Sequence, residues 1–171
     1  MSDDLVGPAT LIEAATLVEA LRVRGITLAT SESLTGGLLG AVITSVPGAS
    51  AVYVGGAIVY ATRMKAVLSG ASPQTLATEG AVSRATACEL AAGIVERTGA
   101  DWGVATTGVA GPDLQEGHPA GTVWIGVSGP DGTSAEQRFF PGGRAVVREQ
   151  TVLAAMALAR SAIVRDSSGD G

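Results

Sequence analysis

Three short segments carry the side chains able to do chemistry. The first is Ser31-Glu32-Ser33-Leu34-Thr35-Gly36-Gly37, between a strand-like and a helix-like stretch. Open α/β sheets bind ligands at such strand-to-helix loops, where unpaired backbone N–H groups meet the positive end of a helix dipole. A serine there can serve as a nucleophile, and neighbouring N–H groups can hold the oxyanion it generates. Gly36 and Gly37 let a ligand come close to the backbone. Ordinary helix capping by Ser33 or Thr35 is the competing reading.

The second segment is Tyr60-Ala61-Thr62-Arg63-Met64-Lys65. Of the eleven basic residues ten are arginine, and Lys65 is the only lysine. An arginine cannot give up its proton near neutral pH, whereas a desolvated lysine can. The flanking sequence is apolar, so Lys65 is a candidate general base for a serine hydroxyl, as in Ser–Lys hydrolases. A solvated lysine and a core tyrosine are the plainer alternatives. The third segment, Thr106-Thr107-Gly108-Val109-Ala110-Gly111-Pro112, reads as a ligand-lining loop or as a simple turn. Arg144, opening the last helix after Pro141-Gly142-Gly143, suits a phosphate or plain solvent.

Other candidates are weaker. His118 is the only histidine, so a Ser-His-acid triad would need it, and it lies in a Gly/Pro-rich loop. Cys88 reads as a buried helix residue. No Cys/His cluster has metal-ligand spacing, so neither a metal nor a cofactor is expected. Gly36, Gly37 and Gly40 brush against a dinucleotide-binding pattern, but no acid between 33 and 78 could hold a ribose hydroxyl.

These residues need a scaffold, and 171 residues with 46% hydrophobic and 16% charged side chains suffice for one domain with a substantial core. Aromatics are only 4%, so Ala, Val, Leu and Ile must fill that core. A net charge of −5 argues against a nucleic-acid partner. No apolar run approaches the length a membrane helix needs, and no signal peptide is readable at the start. With a single cysteine, the expected compartment is the cytoplasm.

Periodicity and punctuation predict a helix over 10–24 with a Thr10/Glu13 capping box, a strand over 26–31, and a helix over 35–46 ending at Pro47-Gly48. A strand over 51–60 with a bulge or crossing at Gly55-Gly56 follows, then a short helix over 62–69. Ser83 caps a helix over 84–98, and a strand over 102–107 comes next. Strands over 121–128 and 134–140 flank a Gly129–Gly132 turn, and a helix spans 144–164. Residues 1–8 read as a loose leader and 165–171 as a flexible tail. The order α-β-α-β-α-α-β-β-β-α predicts a single three-layer α/β/α domain with a mixed, mainly parallel sheet.

Taken in order, the motifs resemble those of the CinA C-terminal domain family, whose stand-alone members include the PncC-like deamidases. The family's Glu-Ser-x-Thr-Gly-Gly stands at 32–37, its Val-Pro-Gly turn at 46–48, and its Gly-Gly strand ending in a tyrosine at 55–60 with Lys65 five positions on. Gly-Ala-Val-Ser stands at 80–83, Thr-Gly-x-Ala-Gly-Pro at 107–112 and Gly-Thr-Val at 121–123. The resemblance covers about residues 10–164.

It implies hydrolysis of the carboxamide of nicotinamide mononucleotide, with Ser33 as nucleophile, Lys65 as base and Tyr60 as an orienting or proton-sharing partner. Substrate contacts are expected from Glu32, Thr35, Gly36, Gly37, Thr107, Gly108, Gly111 and Arg144. The oxyanion is expected on N–H groups near Gly36. A small-molecule nucleotide is the expected partner; because small α/β enzymes often dimerise, a homo-oligomer such as a dimer is the expected assembly. Leu34, Ala61-Thr62, His118 and Gly142-Gly143-Arg144 depart from the family pattern. A non-enzymatic nucleotide-binding module and a competence-associated protein are the alternatives.

Overall fold

A computed structural model describes residues 6–166. Its elements are α1 (Pro8–Arg24), β1 (Leu28–Glu32), α2 (Leu38–Thr44), β2 (Tyr53–Ile58), α3 (Thr62–Ser69), α4 (Pro73–Thr78), α5 (Arg84–Thr98), β3 (Trp102–Gly108), β4 (Thr122–Gly129), β5 (Gly132–Phe139) and α6 (Arg144–Asp166). The sheet order is β2-β1-β3-β4-β5. β1 pairs parallel with β2 and β3, while β4 runs antiparallel to both β3 and β5. Four of the five strands therefore point the same way. α1, α2 and α6 cover one face and α3, α4 and α5 the other, which makes the expected three layers.

Burial follows from this layering. Every residue of β1 and β3 is buried, as central strands covered on both faces must be. β2 alternates and β5 is mostly exposed, as edge strands are. The main core packs Leu17, Leu21, Leu39, Ile43, Ile125 and Met156 between the sheet and the α1/α2/α6 layer. A smaller cluster around Val59, Leu90 and Ala105 fills the α5 side.

Several boundaries differ from the sequence reading for identifiable reasons. Pro8 at the first helical position starts α1 two residues early, after a Gly7 cap that uses no side chain. The expected capping box is absent, because Glu13 instead pairs with Arg160 and Thr10 faces Glu149. α2 begins three residues late, because residues 33–37 form a turn. α4 was missed altogether: Ser72 caps it and Pro73 opens it, yet none of its side chains is buried, so no periodic stripe marks it. The bulge in β2 falls at Val54, just before the glycine pair, where the register slips between Leu28 and Ala29. Gly56 is the close crossing; a Cβ there would lie 2.9 Å from the Thr30 carbonyl oxygen. Cys88 is half-buried on the flank of α5 rather than in the core. Of the expected tail, residues 165–166 continue α6. Residues 167–171, like 1–5 of the expected leader, lie outside the described residues.

Candidate active site

The loop after β1 carries Ser33, and the helix after β2 carries Lys65. Because β1 and β2 are parallel neighbours, both residues emerge at the same end of the sheet. Lys65 Nζ donates to Ser33 Oγ at 2.9 Å and to the Val59 carbonyl at 3.0 Å. Lys65 is only 2% exposed. Burial pushes its ammonium down from the ordinary 10.5 to about 8, against the opposing pull of the Glu116 carboxylate. Among the described residues no carboxylate is bonded to it, so a minority of the population is neutral near pH 7 and that share grows as pH rises through about 8.

Ser33 opens onto a cavity of about 450 Å³, also lined by Leu34, Tyr60, Gly108, Gly111 and Arg144. That volume suits a small organic ligand. Arg144 spans the rim, donating from Nη2 to the Tyr60 hydroxyl at 2.6 Å and from Nη1 to the Gly111 carbonyl at 3.1 Å. Two of its five N–H donors are used, which leaves three for an anion. Tyr60 is thus at the mouth, held by Arg144; no hydrogen bond joins it to Ser33 or Lys65 among the described residues. Gly108 is needed where it stands. Its φ is 157°, and a Cβ would lie 2.4 Å from the Thr122 carbonyl oxygen.

The other expected contact residues do not line this cavity. Glu32 is buried and accepts from Thr35 Oγ1 (2.7 Å), Gly37 N (3.0 Å), Leu39 N (3.0 Å) and Gly40 N (2.8 Å). It is the cap of α2, a carboxylate at a helix N-terminus, rather than a substrate ligand. Thr35 is spent between Glu32 and Thr106. Gly36 faces Arg148, whose Nη2 donates to the Thr35 carbonyl at 2.7 Å. Thr107 turns away, donating to the Ala81 carbonyl at 2.6 Å.

The expected oxyanion donors also shift. Gly36 N is bonded to the Ser33 carbonyl, and the N–H groups of residues 37, 39 and 40 are held by Glu32. Leu38 N is bonded to the Thr35 carbonyl. Among the described residues, the N–H groups of Leu34 and Thr35 have no acceptor, and Leu34 lines the cavity.

His118 does not line the cavity; its backbone pairs with Gln115. Among the described residues, no group of three or more His, Cys, Asp and Glu is placed to hold a metal, and no helix is long and apolar enough to cross a membrane. Sequence reasoning missed Arg148, whose helical spacing from Arg144 was the available signal. It also missed Glu116, which nothing local distinguishes from a solvated loop acid.

The model of the CinA C-terminal domain matches residues 12–163, which covers the whole site and both layers of helices. The chain belongs to the CinA C-terminal domain family. A CinA-like protein of Frankia casuarinae is 51% identical over 137 residues, 80% of this chain and 32% of its own length. A CinA-like protein of Synechococcus elongatus is 51% identical over 118 residues, 68% of this chain and 28% of its own. The chain therefore spans about a third of the length of the curated relatives it matches.

Solved structures of CinA superfamily members share the fold. A Klebsiella pneumoniae 700603 protein superposes with a TM-score of 0.88 at 33% identity, covering 91% of this chain and 98% of that one. The competence/damage inducible protein CihA of Agrobacterium tumefaciens gives 0.88 at 32%, covering 94% and 99%.

Proposed function

We propose that this CinA-family domain is an amidohydrolase that converts nicotinamide mononucleotide to nicotinic acid mononucleotide and ammonia. The observation that carries the reading is the 2.9 Å contact between a buried, depressed-pKa lysine and a serine facing a ligand-sized cavity. The family resemblance supplies the substrate.

The neutral Lys65 amine takes the Ser33 hydroxyl proton as Oγ bonds to the carboxamide carbon. The negative charge that develops on the carboxamide oxygen falls to the N–H group of Leu34, which lines the cavity. The tetrahedral intermediate collapses, the C–N bond breaks, and Lys65 returns the proton to the departing nitrogen so that it leaves as ammonia. Water then attacks the ester on the same base and frees Ser33. The Val59 carbonyl accepts from the Lys65 nitrogen at 3.0 Å, which orients it toward Ser33. Arg144 offers its unused N–H groups to the substrate phosphate, and no cofactor enters any step.

The test is ammonia release from nicotinamide mononucleotide by the purified protein, with Ser33→Ala as control. Release by the parent at least about 10²-fold above that of the variant is expected for loss of a nucleophile. Equal rates, or none by either, would overturn the reading.

A further inference from the structure

One loop residue is held in a way its own turn does not require. Glu116, with a φ of 51°, is the only non-glycine at positive φ among the described residues. Gln115 and His118 exchange both backbone hydrogen bonds, which leaves Glu116 and Gly117 (φ 78°) as the two central residues of a tight hairpin. Positive φ at both positions is the pattern of a type I′ turn, which favours Asn, Asp or Gly first. A glutamate there is unfavourable for the turn, so its longer reach must serve something else.

That reach has a target. Glu116 Oε2 accepts the Val82 N–H at 3.1 Å, across 34 residues. The carboxylate sits over Gly80, where a Cβ would come within 2.6 Å of Oε2. The residues just before it, Asp113, Leu114 and Gln115, form a wall of the Ser33 cavity. Arg144 fastens the other end of this wall at the Gly111 carbonyl.

We propose that Glu116 is a positioning residue that pins this wall to the segment preceding α5 and so sets the shape of the substrate cavity. The effect on substrate rests on the amidohydrolase reading above; the pin itself does not. The same carboxylate also acts on Lys65, favouring its protonated form, so the wall and the base share one charged neighbour.

Three variants test this. Glu116→Ala removes the reach, Glu116→Asn suits the turn but is too short, and Glu116→Gln keeps both length and an acceptor. Losing one hydrogen bond of ordinary strength should speed exchange of the Val82 amide about 10-fold in Ala and Asn. In the same two variants KM for nicotinamide mononucleotide should rise about 10-fold, with kcat within about 3-fold. Gln should stay within about 2-fold of the parent on both measures. Unchanged Val82 exchange in Ala and Asn, or Gln behaving like Ala, overturns the pin. Faster exchange with unchanged KM overturns its role in shaping the cavity. If the parent releases no ammonia, the functional reading fails by itself, and Val82 exchange still decides the pin.

Discussion

Glu32 and Gly40 stand eight residues apart, and the 2.8 Å bond from Gly40 N to Glu32 Oε1 closes the loop that presents Ser33. The carboxylate next to Ser33 is thus the element that shapes the Ser33 backbone. Glu32→Gln removes one set of acceptor lone pairs and turns an amide N–H₂ toward backbone donors. A loss of about 2–4 kcal/mol in stability is expected, as for breaking a buried charged hydrogen-bond set. Denaturant unfolding measures it; a variant within about 0.5 kcal/mol of the parent would show that the cap is dispensable.

Lys65→Arg keeps the charge and removes the ability to deprotonate. The expected result is a kcat lower by at least roughly 10²-fold, with KM changed by less than about 5-fold. Steady-state kinetics on protein checked for folding by circular dichroism decides it. Turnover near the parent rate would make Lys65 an electrostatic anchor and move the base elsewhere.

The pH dependence has a definite sign. Under the proposed mechanism Lys65 works only when neutral, and its folded pKa is about 8, so kcat/KM should rise with pH through about 8 and level above it. Stability follows the same direction. The folded pKa lies below the ordinary value, so between about 8 and 10.5 the unfolded chain binds more proton than the folded one. The Lys65 contribution therefore disfavours folding below about 8 and is relieved as pH rises toward 10.5. A Lys65→Met variant should lack this rise in unfolding free energy. An acid limb centred below about 7 would contradict the assignment.

Arg144→Ala frees the Tyr60 hydroxyl and the Gly111 carbonyl and removes the cation at the cavity mouth. KM should rise by roughly 10- to 100-fold, as for losing a charge-assisted contact to phosphate. Lys at this position should recover only part of the loss, because it cannot span two acceptors in a fixed plane. The free nucleoside, lacking phosphate, should show little difference between parent and variant; an equal loss for both would assign Arg144 to cavity shape alone.

The pair at the centre of the site was legible because its signals are chemical: a serine at a strand-to-helix loop and a lone lysine in apolar surroundings. What surrounds the pair was less legible, because the partners are backbone atoms. Glu32 looked like a ligand-facing acid, and only the positions of the Gly37, Leu39 and Gly40 N–H groups make it a cap. Thr107 looked like loop chemistry, but its hydroxyl is committed to Ala81 O, brought near by α5 packing on β3. Tyr60 was expected as an orienting or proton-sharing partner, and the turn into α3 carries its hydroxyl out to Arg144. The layers and the mixed sheet followed from the order of the elements, whereas the strand order β2-β1-β3-β4-β5 came only from the structure, and α4, with no buried side chain, left no stripe to read.

The bulge at Val54 has a mechanical consequence. From Ala29 against Gly55 to Glu32 against Ile58, the rungs of β1 and β2 are in uninterrupted step, and the loop with Ser33 and the strand end with Val59 lie one residue beyond the last rung. The spacing between Ser33 and Lys65 is therefore a phase relation between two strands, fixed by that ladder and insulated from the turn upstream. Length changes around Val46–Val52 can be taken up at the bulge without dephasing the pair. A slip of one rung, about 3.3 Å, would exceed the whole hydrogen-bond distance and part Ser33 from Lys65, besides moving Gly56 off its close crossing with Thr30.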